Sequence, residues 1–323
     1  MVDLSVLYQR SVVDGFDAQA LLGAVRDTRF EQRLLGAGHF RACLQRVVFP
    51  HFSLDSGAYS LPIFASGSFG KGVVSLALAL SCRDPMWANG KLVEAGQVMV
   101  FAEDSELNVR PGPGDWRWAV LLIERERLQQ AAEGRLGRPL AIPISGWYCN
   151  DTPPSASDAL CRTVRAVLDD ASRWGPTVDD GRVAAQGSLL LGAFLDAVGG
   201  DRSAPGLQTR GEWMVRRRDE TIRKAECFLK AQLDRPFDSR SLATLLGIGE
   251  RRVERLFHEA YGLSPSRWHH IARLNAARLA LLQAEDGERV TDIASRLGFG
   301  HLSRFSSEYR QIFGEYPRDT LRA

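Results

Sequence analysis

A pattern that occurs twice in the last third of the chain constrains its fold more than any other feature. In Phe237-Asp238-Ser239, either Asp238 or Ser239 can N-cap a helix over 240–246, because a short side-chain oxygen accepts from the free N–H groups of a first turn. Leu246-Gly247-Ile248-Gly249 then supplies a tight turn, and Gly247 suits the left-handed conformation that ends a helix. A second helix is expected over 250–261, closed by Gly262. Its apolar face carries Val253, Leu256, Phe257 and Ala260, while Arg251, Arg252, Glu254, Arg255 and His258 project elsewhere. The same succession returns over 290–299 and 302–312, closed by Gly314, with Phe305 and Tyr309 turned inward. Leu245 is as far from Leu297 as Val253 is from Phe305. One such helix pair could be simple packing. Two of them, joined by an amphipathic connector over 268–282 (Ile271, Leu274, Ala277, Leu281, Leu282), make a tandem helix-turn-helix arrangement.

The first two hundred residues have a different texture. An apolar stripe at Ala18, Leu21, Leu22, Val25 and Phe30 suggests a helix within 1–35. From about 40 to 123 the pattern is that of strands: 73–80 is β-sized and turn-bounded, 97–102 and 116–123 follow, and Asn89-Gly90 is a hairpin signal. Short strands with tight turns point to an antiparallel sandwich or barrel, so the class is α+β. Two helices follow near 157–174 and 181–198. The second is apolar nearly all round and needs cover on two sides, either within its own domain or from the same helix of a second subunit. Gly199–Gly206 is small, polar and Pro/Gly-rich, as a linker should be. The expected organisation is a domain over 1–200, a linker over 201–212 and an all-helical domain over 213–323.

Net charge is +2 over 323 residues, which looks uninformative. The halves differ, however. From Trp213 onward there are 20 basic and 15 acidic residues, a net of +5, whereas residues 1–212 carry −3. The start lacks a basic segment followed by an apolar one, the longest apolar run is strand-sized, and the five cysteines are scattered with no C-x-x-C. A cytoplasmic protein without secretory signal, membrane span, disulfide framework or zinc cage is expected. Enzyme readings find little support. His39 and His51 stand apart with no H-x-H, and Gly67-Ser68-Phe69-Gly70-Lys71-Gly72 lacks the spacing of a phosphate-binding loop. Neither a metal nor a cofactor is expected.

Leu263-Ser264-Pro265, Trp268, Arg273-Leu274, Ala277-Arg278 and Leu281-Leu282 resemble the stretch that joins the two units in the AraC/XylS family of bacterial transcription regulators. The series Ile293-Ala294, Gly298-Phe299, Ser303, Phe305, Tyr309, Gly314, Pro317 and Leu321-Arg322 resembles the signature of that family. The likeness covers roughly 219–322. It implies a regulator that binds double-stranded operator DNA and works with RNA polymerase, usually as an activator. The N-terminal texture is similar to the cupin-like effector domain of such proteins, closest to the ethanolamine-utilisation regulator group. That implies a small-molecule effector and a homodimer formed through 157–198. A regulator whose N-terminal domain binds a protein partner is the alternative.

By the same resemblance, Arg251, Glu254 and Arg255 align with base-reading positions of the first recognition helix. An Arg can fork onto guanine O6/N7, and a Glu can accept from cytosine N4. Arg252 and His258 are phosphate contacts or solvent-facing. The equivalent positions of the second helix are Leu302, Ser303, Arg304 and Ser307. This departs from the family, in which the position of Ser307 is often Arg and that of Gly300 usually polar, so the second unit should discriminate less. In the N-terminal domain Trp87, Phe101, Trp116 and Trp118 lie on or beside the expected strands, as core or as pocket lining. Arg41, Arg110 or Arg117 could answer an anionic effector.

Overall fold

Strand faces decide the architecture of the N-terminal part. The computed structural model describes residues 7–28, 30–175, 178–200, 210–285 and 287–322, and for 210–219 the backbone alone. Along the chain run β1 (Tyr8–Asp14), β2 (Glu31–Leu34), β3 (Arg41–Val48), β4 (Phe52–Tyr59), β5 (Ile63–Ser68) and β6 (Val74–Cys82). Next come β7 (Met86–Ala88), β8 (Lys91–Val93), β9 (Val98–Phe101), β10 (Glu106–Arg110) and β11 (Trp116–Ile123). Helix α1 (Arg125–Leu136), strand β12 (Trp147–Cys149) and helices α2 (Pro154–Ala171) and α3 (Asp180–Val198) complete this part.

The strands form two antiparallel sheets, β1-β3-β4-β11-β6-β9-β12 and β2-β5-β10-β7-β8. In the larger sheet both faces are apolar. Trp116, Trp118 and Val120 of β11, Ala77 and Ala79 of β6 and Met99 of β9 face the second sheet. Alternate residues Ala119, Leu121, Ile123, Leu76, Leu78 and Val100 pack under α1, α2 and α3. The period-two alternation of a strand thus serves two cores at once. The Asn89-Gly90 hairpin forms as expected, both residues at positive φ (45° and 74°), with Ala88 opposite Lys91.

The helix expected within 1–35 does not form. Residues 18–27 are turns between β1 and β2: the Asp17 carboxylate accepts from the N–H groups of Gln19 and Ala20, and Asp27 sits at φ 54°. The apolar stripe was real, since Leu21, Val25 and Phe30 are buried, but it covers the sandwich as a folded loop. Asp55, fully buried, pins this loop by accepting from the Arg26 N–H at 2.6 Å and pairing with Arg46, which also donates to Gly23 O. Helix α3 gets its cover within the chain: α2 lies on one side and α1 on another, with Arg135 paired to Asp196 at 2.6 Å. Leu189 of α3 stays exposed.

The linker expectation over 201–212 falls largely outside the described residues. Beyond it lie α4 (Arg210–Lys230), α5 (Ser239–Leu246), α6 (Glu250–Tyr261), α7 (Pro265–Leu282), α8 (Val290–Arg296), α9 (Leu302–Phe313) and α10 (Pro317–Leu321). Asp238 is the N-cap of α5, and Gly247, Gly262 and Gly314 end α5, α6 and α9 at φ 64°, 65° and 79°. Among the described residues no helix is long and apolar enough to cross a membrane.

The helical part packs on the smaller sheet. Arg278 of α7, almost fully buried, donates to Phe16 O and to Glu315 Oε1 (2.6 Å), and lies over the Phe313 ring at 5.0 Å. Phe64 meets Tyr261 edge-on at 4.9 Å, and Arg33 covers Trp268 at 4.8 Å. The Arg223–Glu106 pair is half-exposed, and such pairs contribute about 0–1 kcal/mol. The buried contacts therefore dominate the junction. Arg278→Met is expected to lower the stability of the whole chain by about 3 kcal/mol in urea denaturation, because it leaves buried acceptors unmet.

Candidate nucleic-acid interface and a buried cavity

Each helix-turn-helix unit leaves one helix with a polar face in solvent. On α6, Val253 and Phe257 are buried, while Arg251, Arg252, Glu254, Arg255 and His258 are all exposed. On α9, Phe305, Tyr309 and Ile312 are buried, while Leu302, Ser303, Arg304 and Ser307 are exposed. Both named sets lie on the solvent side of their helices. Arg251 and Arg252 make no ion pair among the described residues. Arg255 lies 3.8 Å from Glu259 on the next turn. Arg304 is held by Glu308 at 2.9 Å, and Glu308 also meets His270 of α7 at 3.2 Å. Burial pulls His270 below its ordinary range against the opposing pull of Glu308. The two faces are thus chemically unequal, three basic residues on α6 against one engaged arginine on α9.

Helix α7 holds the two units together. Trp268 packs on Phe257 and Tyr261 of the first unit (6.0 and 5.8 Å), and His269 bonds Gln232 O. At the second unit the Arg273 guanidinium donates twice to Leu297 O (3.1 and 2.7 Å) and stacks over Phe299 at 4.5 Å. Gly298, at φ 70°, has no room for a side chain, since a Cβ there would stand 2.2 Å from Asp234 O. Leu34 N–H donates to Asn275 of α7, and Gly38 N–H to Ile312 O, so the sheet side also fixes this assembly.

The second candidate site is a cavity of about 60 Å³ between the two sheets. Ala24, Ala65 and Ala77 leave the space, and Trp116 and Trp118 wall it. Trp118 can lie flat because its cross-strand partner is Gly57, where a Cβ would stand 2.5 Å from the indole. Of the residues expected as pocket lining, Trp116 and Trp118 are in the wall. Phe101 is buried against Phe69 and Trp147, Trp87 is half-buried beneath Arg110, and neither borders the cavity. Arg41 is exposed and paired with Asp14, Arg117 is exposed, and Arg110 is half-buried beside Gly262. Sequence reasoning missed Gln32 and Tyr59. Gln32 Oε1, Tyr59 Oη and Trp116 Nε1 are buried without a hydrogen-bond partner among the described residues, and all three residues line the cavity. Burial holds the Tyr59 phenol well above its ordinary range, and the polar groups of Gln32 and Trp118, close to the hydroxyl though not in hydrogen-bond geometry with it, pull the other way.

Comparison with known proteins places the chain. The helix-turn-helix domain family matches residues 242–323. The "Probable thc operon regulatory protein" of Rhodococcus erythropolis is 37% identical over 102 residues, 31% of this chain and 31% of its own length. The "XylDLEGF operon transcriptional activator" of Pseudomonas putida is 35% identical over 96 residues, 29% of this chain and 30% of its own length. The chain thus spans less than a third of these curated relatives. A solved structure, a "probable AraC family transcriptional regulator" from Rhodopseudomonas palustris, is 32% identical over 32% of this chain and 95% of that chain, with a TM-score of 0.30. The C-terminal helices form a tandem helix-turn-helix unit of the AraC type. The chain belongs to the AraC/XylS family of regulators.

An unmet buried polar atom is a standing cost, so removing one should not destabilise the fold. Tyr59→Phe is expected to leave unfolding stability unchanged or raise it by about 1 kcal/mol in urea denaturation. A loss of similar size would mean that the hydroxyl already has a partner.

Proposed function

We propose that the chain is a cytoplasmic, sequence-specific DNA-binding transcriptional regulator. The observation that carries this reading is the pair of exposed faces on α6 and α9, both locked to α7. Helices so mounted can enter successive major grooves on one side of a duplex, with half-sites about one helical turn apart. Arg251, Glu254 and Arg255 read bases, and Arg252 and His258 meet phosphates. Leu302, Ser303, Arg304 and Ser307 anchor the second unit with less discrimination. Arg304 has to leave Glu308 to reach DNA, which supports that inequality. The name of the Pseudomonas putida relative, a transcriptional activator, suggests activation as the mode, and RNA polymerase is the partner that this reading implies.

A small molecule in the cupin-like N-terminal sandwich controls this activity. The cavity supports that reading over a protein partner, and β2 offers a route to the helices. Gln32 faces the cavity, while its neighbours Glu31 and Arg33 grip Lys230, Glu226 and Trp268. Moving Gln32 therefore moves the strand that seats the helical part. Two copies associate through 157–198, meeting along the exposed strip of α3 around Leu189.

Footprinting of the DNA flanking the gene tests the reading: direct-repeat half-sites should be protected, and no protection would count heavily against it. Arg255→Ala should cost about 1–3 kcal/mol of operator affinity and relax one base position in a gel-shift series. An equal loss on every operator variant would make Arg255 a phosphate contact. Leu189→Glu should convert dimer to monomer in sedimentation equilibrium with the fold intact.

A further inference from the structure

The cavity wall consists of eighteen residues, none of them charged. Of the cations beside the wall, Arg46 pairs with Asp55 and Arg26 with Asp27, while Arg110, which has no acid partner among the described residues, lies over Trp87 outside the wall. An unpaired carboxylate or ammonium would be very costly to bury there. Yet the wall is not inert. Gln32 (5% exposed), Tyr59 (2%) and Trp116 (3%) each leave one polar atom unmet. The Gln32 amide is oriented, because its Nε2 donates to Leu21 O at 2.9 Å, which leaves Oε1 as an acceptor. Trp116 Nε1 can only donate, and the Tyr59 hydroxyl can do either. The Tyr59 and Trp116 rings meet edge-on at 5.3 Å, and Gln32 borders the same cavity from the opposite sheet.

We infer that the cavity binds a compact, uncharged molecule whose hydroxyl or carboxamide group accepts from Trp116 and Tyr59 and donates to Gln32. The rest of the ligand is apolar, to match Ile63, Val109 and Val120. This deepens the reading of the cavity as effector site and rests on it. Size follows from volume: a cavity of about 150 Å³ holds the six heavy atoms of benzene, so about 60 Å³ holds roughly two or three as it stands, and four to six only once Met86 and Met99, both in the wall, move aside. A carboxylate of the same length lacks a donor for Gln32 Oε1 and has no cation to neutralise it. Arg41, exposed and paired with Asp14, is no part of this site.

Only four methionines occur, Met1, Met86, Met99 and Met214, so methyl-labelled methionine on the full chain gives a direct readout. Met86→Leu and Met99→Leu assign the two cavity signals. Butyramide, butan-1-ol, butyrate and butylammonium are titrated in parallel at neutral pH. Butyramide and butan-1-ol should shift Met86 and Met99 saturably, and the two ions should bind at least tenfold more weakly. Gln32→Leu and Trp116→Phe should each weaken butyramide about fivefold while the remaining methyl spectrum stays unchanged. Butyrate binding as well as butyramide would overturn the uncharged-ligand inference and leave small-molecule control standing. Unchanged affinity in both variants would overturn the role of the polar cluster. If no probe of any charge moved Met86 or Met99, the inference and the effector reading would fall together.

Discussion

One helix, α7, has to be buried on nearly every side, and the rest of the helical part is arranged around that demand. Trp268, Ile271, Ala272, Leu274, Ala277 and Leu281 are all buried, as are His269 and Arg278. No single neighbour can cover so many directions. The first unit takes the Trp268 end, the second takes the Ala277–Leu281 end, and the β2 edge of the sandwich closes a third side. Interiors packed to crystal-like density do not slide, so burying α7 sets how α6 and α9 stand relative to each other.

Polar groups on α7 make that packing specific. Arg273 satisfies the carbonyl at the end of α8 and stacks on Phe299, while Arg278 reaches across to Phe16 O. Both are arginines for a physical reason: a planar fork can bond at its edge and lie flat on an aromatic ring at once, which a lysine cannot do. The basic surplus of the C-terminal residues is therefore not all surface charge. Part of it holds the scaffold, and the arginines of α6 are among those left facing water.

Legibility followed the range of the forces involved. Helix ends were readable because capping is local: Asp238, Gly247, Gly262 and Gly314 act on their own turns. Strands β6, β9 and β11 were readable from composition and flanking turns. The loop over 18–27 was not, because Leu21 and Val25 show helical spacing while Asp17, Gly23 and Asp27 favour turns, and contacts from distant residues, Asp55 among them, hold the folded loop. Helix α1 escaped notice because only Leu128 and Ala132 are buried along it. The aromatic residues of the cavity were half legible. Trp116 and Trp118 were identifiable on β11, but which face each sheet turned to the other was not.

Capping, period and propensity, each acting within a few residues, specify the tandem helix-turn-helix units, the residues on their exposed faces and the strand-rich character of the N-terminal part. Where the cavity lies and which polar residues border it depend instead on packing between distant segments. Gln32, Tyr59 and Trp116 come from three strands, and two sheets had to face each other before these residues could border one cavity. The same holds for Arg278 and Phe16, which are far apart in sequence and become partners only when α7 docks on the sandwich.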